Sequence, residues 1–476
     1  MKKDSIKRLL DNFSDAKKSA VVFMIASFIS QAMGLITTPI FTRLLTLEEY
    51  GISTLFNSWR GILGMLAMLS LSSGVFNVGM NDYREDRDCF VYNMMLLSNI
   101  ATVIVMAIVF ISKMVGFDFT TLSWSILGLM FLYFMLSPAY NFWIARQRYE
   151  YKYKASGLMT VLLGVGGALL AILLVVFVAG DKAALKIWGT YLPTIVFGGI
   201  LYLIFISKNR TINFEYWKFA LGFNLPLLLH YLALNVMTGS DRIMIASLVG
   251  ERQAGIYGLS FTISTVITIV WTALNGSLTP YVFEKLNIQQ EKSVNRISFM
   301  TLAVYLIPCC IFMLFAPELL RIFATREYSE GVYVMPIIVA ACFFQGMYYA
   351  FVNVEYYHKK SKYIMAVSVA SAIANIILNY IGITLFGYRA AAYTTMITNI
   401  LMCMLHYWNV KRICQRKVFA GWMYAGLGIV CIVWLLLTQF VFQSFVVKIL
   451  GSLCILIIAF INRKKLIYFL KDSLKN

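Results

Sequence analysis

The stretch TTPIFTRLLTLEEYGI, Thr37–Ile52, closes a long apolar run with an arginine, a threonine and two adjacent glutamates before a Tyr-Gly pair. The run before it, residues 20–42, has the roughly 20-residue length that carries a helix across a bilayer core of about 30 Å. Another apolar run starts at once on the far side, at residue 52. A polar turn between two membrane spans accounts for this pattern, and similar turns punctuate the whole chain.

The composition agrees: 60% of the residues are hydrophobic, 13% are charged, and the mean hydropathy is +0.75. A soluble domain carries about 25% charged residues. The apolar runs are continuous and do not alternate, so the expected class is an all-α integral membrane protein. Fourteen spans are expected. The first six are 20–42, 52–75, 90–112, 121–143, 155–179 and 186–207. The next six are 217–248, 255–281, 296–316, 332–354, 363–386 and 389–410, followed by a final pair at 419–441 and 444–462.

The basic residues give the orientation, because cytoplasmic loops carry an excess of Lys and Arg. Placing the N-terminus in the cytoplasm puts thirty of the 41 Lys and Arg residues on that side and nine on the other. Arg60 and Arg242 remain inside spans. Both termini are therefore expected in the cytoplasm, with the protein in the cytoplasmic membrane. The net charge of +19 is topogenic on this reading, and nucleic acid is not an expected partner. No cleavable signal peptide is expected. The eight cysteines and three histidines are scattered, with no spacing that marks a disulfide framework, a metal site or a catalytic cluster. GVGGAL (Gly164–Leu169) lies mid-span with no strand before it, and there is no P-loop, so nucleotide hydrolysis is not expected.

The opening stretch has an echo. LLTLEEYGISTL (Leu44–Leu55) parallels LVGERQAGIYGL (Leu248–Leu259), with Gly51 on Gly255 at an offset of 204 residues. RYEYKYKASGLMT (Arg148–Thr160) parallels YYHKKSKYIMAVS (Tyr356–Ser368) at 208, and GDKAAL (Gly180–Leu185) parallels GYRAAA (Gly387–Ala392) at 207. The expected organisation is two tandem six-helix lobes, 1–210 and 211–415, with an additional helix pair and basic tail over 416–476. An even number of spans per unit gives both copies one orientation, as in transporters built from parallel repeats.

Charges inside spans cost several kcal/mol unless they face a cavity or a partner, so they point to function. Asn57, Arg60 and Gly64 share one helical face in the second span, which suits a water-filled cavity; a snorkelling or structural Arg60 is the alternative. Asp241 and Arg242 sit near the outer end of the seventh span, where both cavity and structural roles stand open. The eighth span carries Thr262, Thr265, Thr268, Thr272, Asn275 and Thr279 along one face, either a packing seam or a cavity wall. Ser368, Ser371, Asn375 and Asn379 make a similar face on the eleventh span. His230 is expected as a packing residue, with a proton relay as the alternative. Arg43, Glu48 and Glu49 lie at the outer turn as gate or structural residues.

The run ASFISQAMGLITTPIFTRLLTLEEYGISTLF (Ala26–Phe56) resembles the start of Wzx-type polysaccharide flippases, in the superfamily that also holds the multidrug/toxin extruders and the lipid II flippase. SDRIMIASLVG (Ser240–Gly250) followed by GIYGL, and ALNGSLTPYVFEKL (Ala273–Leu286), are similar to that family's seventh and eighth spans. The resemblance implies a MATE-like fold and a flippase for undecaprenyl-pyrophosphate-linked oligosaccharide units working by alternating access. It implies no enzymatic activity and no cofactor beyond a coupling ion, H+ or Na+. Membrane lipids, a polysaccharide polymerase and a chain-length regulator are the implied partners. Arg60 and Arg242 would line a cationic cavity with Asn57 and Asn275, and Arg43 would stand near the outer gate. A planar guanidinium suits pyrophosphate because it donates two hydrogen bonds at once. The rival expectations are a cation-coupled drug antiporter of the same fold, which would carry intramembrane acids, and a membrane polymerase or ligase, which would need a larger outward loop.

Overall fold

In the computed structural model the described residues are 15–72, 74–414, 418–441 and 448–449. Sixteen α-helices and one 3-10 helix run through them, with no strand among the described residues. Among the described residues ten helices are long and apolar enough to cross a membrane, and the pair Phe214–Leu225 and Leu227–Leu248 makes an eleventh as one bent span.

The first half comprises α1 (Asp15–Leu44), α2 (Leu47–Met68), the short α3 (Gly74–Asp82), α4 (Arg87–Met114), α5 (Trp124–Tyr149), α6 (Tyr153–Phe177) and α7 (Lys182–Lys208). Next comes α8 (Phe214–Leu248). The second half continues with α9 (Glu251–Ser264), α10 (Ile267–Asn287), α11 (Glu291–Leu314), α12 (Ala316–Phe323) and the 3-10 helix Arg326–Tyr333. It closes with α13 (Met335–Tyr357), α14 (Ser361–Phe386), α15 (Ala390–Cys414) and α16 (Gly421–Val441).

Thirteen of the expected spans coincide with helices. The fourteenth, 444–462, and the basic terminal segments lie almost wholly outside the described residues, so the pair expected over 416–476 is represented by α16. The second span differs from its expected bounds, 52–75. It ends at Met68, because Leu69 and Ser70 take left-handed backbone at φ 51° and 49°. The freed Leu69 carbonyl accepts from the Asn224 side chain of α8, which satisfies a group that a membrane interior would leave without water. The outward loop expected over 317–331 is largely helical, formed by α12 and the 3-10 turn.

The repeat extends to helix starts: α2 and α9 begin 204 residues apart, α6 and α14 208, and α7 and α15 208. The chain divides into two compact units between Leu232 and Ala233, inside α8 and past the sequence boundary at 210/211. The cause is local. The first turns of α8 belong to unit one, where Tyr216 donates to Asp86 at 2.9 Å and Trp217 donates to the Asn93 carbonyl at 3.1 Å.

Within unit one, small residues let helices touch backbone to backbone, the usual device where lipid removes the hydrophobic drive. A Cβ on Gly189 of α7 would run into the Ala171 backbone of α6, and one on Gly198 into the Leu136 carbonyl of α5. In unit two α13 is the central helix: nearly its whole length is buried, from Met335 to Glu355.

Candidate functional site

The turn of the opening stretch is built from its own residues. Thr46 caps α2: its hydroxyl accepts from the Glu49 amide at 3.2 Å, and the Glu49 carboxylate accepts from the Thr46 amide at 2.8 Å. This reciprocal pair is a capping box, legible in the sequence as Thr-Leu-Glu-Glu. Glu49 is thus spent on the helix start, with Glu48 exposed in the same first turn. Arg43 donates to the Pro39 carbonyl at 2.6 Å, one turn back on α1.

About three turns further along α2, Arg60 enters an aromatic frame. Its guanidinium lies 5.2 Å from the Tyr191 ring of α7 and 5.7 Å from the Tyr133 ring of α5. These rings stand edge to face, 5.1 Å apart. The Tyr191 hydroxyl donates to Asn57 Oδ1 at 2.6 Å, so Asn57 orients the ring that holds Arg60. The Arg60 Nε has no hydrogen-bond partner, and no carboxylate pairs with Arg60 among the described residues. Asn57 and Arg60 do share a site, whereas Gly64 packs against Phe134 of α5, where a Cβ would lie 3.1 Å from the ring. Arg60 is thus a partly buried cation held against two π-faces. Neither tyrosine stood out in the sequence, because both sit in aromatic-rich runs.

One rung nearer the start of the same two helices, Lys186 of α7 lies 4.3 Å from the Tyr50 ring and 4.8 Å from Phe41. The expected span 186–207 begins at Lys186, whereas α7 starts four residues earlier, at Lys182, which puts Lys186 inside the helix.

In unit two Asp241 is fully buried and saturated. Its carboxylate accepts from Tyr257 (2.5 Å), Asn379 (2.7 Å) and Thr395 (2.8 Å), side chains of α9, α14 and α15. Ser240 donates to Asn375 at 3.0 Å beside it. The polar face Ser368–Asn379 of the eleventh span therefore serves helix packing here, as does its first-lobe counterpart, where Gly157, Gly164 and Gly167 meet Val22, Ser30 and Thr190. Arg242 bonds the Thr238 carbonyl of its own helix and lies 4.4 Å from the Phe261 ring, again cation on aromatic.

The threonine face divides in two. Thr265, Thr268 and Thr272 line a cavity of about 390 Å³ with Tyr348, Tyr349 and Gln345 of α13. Asn275 and Thr279 do not reach it: both bond the Asn353 side chain of α13, at 2.9 and 3.1 Å. Asn275 thus sits in a helix-to-helix contact and is not in this cavity's lining. His230 is buried.

A group the sequence reading passed over lies on α13 and α15. Glu355 and His406 are both fully buried and lie 2.9 Å apart, Oε2 to Nδ1. Glu355 escaped notice because it falls one residue past the expected end of its span, and His406 because its partner is 51 residues away. On the flank of the same helices α13, α15 and α16 enclose an apolar groove of about 380 Å³, lined by Phe344, Phe351, Met404, Tyr424 and Ile429 among others.

Outside the spans, Glu330 of the 3-10 turn accepts from Tyr388 at 2.7 Å and from Arg389 at 3.1 Å. The Tyr388 and Arg389 donors hold its carboxyl below the usual range. No group of three or more His, Cys, Asp or Glu side chains arranged to hold a metal occurs among the described residues.

Comparison with solved structures places this fold with known transporters. The lipid II flippase MurJ in an inward closed conformation superposes with a TM-score of 0.69 at 15% identity, covering 94% of this chain and all of that one. An inward-facing MATE family multidrug resistance transporter of the MOP superfamily gives 0.57 at 15% identity, covering 81% of this chain and 96% of that one. In sequence, the Lsg locus putative protein 1 of Haemophilus influenzae is 21% identical over 419 residues, 83% of this chain and 98% of its own length. Residues 226–381 match the MatE family. Residues 16–286, more than half of the chain, match the polysaccharide biosynthesis protein family, and the chain belongs to that family, as a multi-pass membrane protein.

Proposed function

We propose that this protein is a flippase that carries undecaprenyl-pyrophosphate-linked oligosaccharide units across the cytoplasmic membrane by alternating access, with both termini in the cytoplasm. The observation that carries the proposal is Arg60, a partly buried guanidinium framed by Tyr133 and Tyr191 and paired with no carboxylate among the described residues. A drug antiporter taking cations would place an acid there. The pyrophosphate would engage Arg60, with Asn57 as a further polar contact and Lys186 as a second cation. The apolar groove on α13, α15 and α16 suits an isoprenoid chain, which stays in lipid while the sugars pass through a polar route. Such transport needs no covalent chemistry, so the protein is not an enzyme on this reading, and a polymerase and chain-length regulator would take over the delivered units.

The test is depletion of the protein in its own cells. The expected result is loss of surface polysaccharide with lipid-linked units accumulating on the cytoplasmic face. Unchanged surface polysaccharide, with no accumulation, overturns the proposal.

A further inference from the structure

A proton can be held where two buried groups share one hydrogen and each keeps a second polar atom unused. Glu355 and His406 meet that description. Both side chains are 0% exposed, and Oε2 and Nδ1 lie 2.9 Å apart, the separation of two atoms that share one hydrogen. The other carboxylate oxygen, Oε1, and the other ring nitrogen, Nε2, are buried without a hydrogen-bond partner among the described residues. Asp241 is the instructive contrast, since three donors saturate its carboxylate.

The pair has a different neighbour on each side. Toward the shared C-terminal ends of α13 and α15, His358 Nε2 lies 3.3 Å from Cys414 Sγ, and basic residues Lys359 and Lys360 follow in the turn. In the opposite direction the Tyr348 ring stacks on His406, 5.7 Å away and tilted by 21°. Tyr348 also lines the threonine cavity, and its hydroxyl is likewise buried without a partner. The pair therefore stands between the cavity and the end of the helices that the basic residues assign to the cytoplasm.

We infer that Glu355 and His406 form a proton-binding site whose loading and release are coupled to transport. With the single shared hydrogen the pair carries one net negative charge. One proton from water, added at Nε2 or Oε1, neutralises it, and the same proton returns to water on release. No other reactant takes part. A buried net charge is costly, so the closed site favours the loaded form, and hydration of either flank favours release. The other titratable or charged groups facing it are few. Tyr348 and Tyr349 come from α13, His358 from the turn that follows it, and Cys403, Tyr407 and Cys414 from α15. Glu291 of α11 acts on Cys414, as Glu355 does, and Lys360 donates its amide to the Glu355 carbonyl. The contacts of α10 and α16 on this part of α13 include Asn275, Thr279, Phe283, Asn287 and Tyr424, none of them charged.

The coupling rests on the transport reading above; proton binding does not. Because the chain has only His230, His358 and His406, nuclear magnetic resonance of histidine-labelled protein in nanodiscs resolves the site, with the His406 signal assigned by its loss in His406→Gln. The expected result is a His406 signal that responds to pH in the unaltered protein, with a response altered in Glu355→Gln while His230 and His358 are unchanged. A His406 signal that does not move with pH overturns the inference without touching the transport reading. Export is the second measurement. Glu355→Gln and His406→Gln, compared at equal membrane abundance, are expected to lower export about tenfold and to leave the remainder insensitive to a protonophore. If Glu355→Gln does not accumulate, Glu355→Asp replaces it and is expected to retain protonophore-sensitive export. Full export that still collapses with the protonophore in both variants overturns the coupling. Full export by Arg60→Ala strikes the pyrophosphate reading instead.

Discussion

The Tyr191 hydroxyl donates to Asn57 at 2.6 Å while the Tyr191 ring lies 5.2 Å from the Arg60 guanidinium, so one side chain joins the amide and the cation of the same helix. Arg60→Ala is expected to abolish surface polysaccharide while the protein still inserts. Arg60→Lys keeps the charge and loses the two-pronged donor, so partial export is expected. Tyr191→Phe keeps the ring and removes one hydrogen bond, a loss of about 1 kcal/mol or roughly fivefold in transport rate. Tyr191→Ala removes the cation–π contact as well and is expected to be the weaker transporter. Surface polysaccharide at matched protein abundance checks the series.

Asp241 receives its three donors from three other helices. Asp241→Ala orphans all of them, at about 1–3 kcal/mol for each buried group left unpaired. The purified variant is expected to melt well below the unaltered protein. Asp241→Asn retains part of the network and is expected to fall between them. Equal melting of all three proteins would remove the carboxylate from the fold's support.

Gly198 of α7 faces the Leu136 carbonyl of α5, with no room for a methyl group between them. Gly198→Val is expected to separate the helices at about 1–3 kcal/mol, the range for an overpacked interior, and to lower the yield of folded protein. Gly199→Val, one residue on, meets only the end of Leu136 and is expected to be mild. Size-exclusion profiles of the two variants in one detergent decide the point.

Glu330 is held below the usual carboxylate range by Tyr388 and Arg389. Its folded form therefore binds fewer protons than its unfolded form in mild acid. The stabilising contribution is complete above the ordinary glutamate pKa of about 4.3 and is lost as the pH falls through the lower folded value. The ion pair is about half exposed, so the effect is small. Hydrogen-exchange protection of Arg326–Tyr333, corrected for intrinsic rates, is expected to drop in acid, and Glu330→Gln to abolish that dependence.

The span pattern was legible because length and continuous apolarity report burial in lipid directly. The end of α2 was not, since the left-handed turn at Leu69 and Ser70 replaces an apolar helix by an equally apolar non-helical segment. Arg60 and Asn57 were legible as a charge and an amide on one helical face. Tyr133 and Tyr191 were not, because periodicity within one helix carries no information on which rings converge from two others. The same limit hid the Glu355–His406 pair and divided the threonine stripe. Three of its hydroxyls reach a cavity, while Asn275 turns to Asn353, a choice made by the neighbouring helix.

The Asp241 carboxylate also bears on how this sequence can diverge. Asp241, Tyr257, Asn379 and Thr395 sit on four helices, yet they answer to one pair of oxygen atoms. A change at any one leaves the other three to be repaired together. These four positions are expected to drift as a group among related chains, and a replacement of one by exchange between lineages to succeed only when the others travel with it.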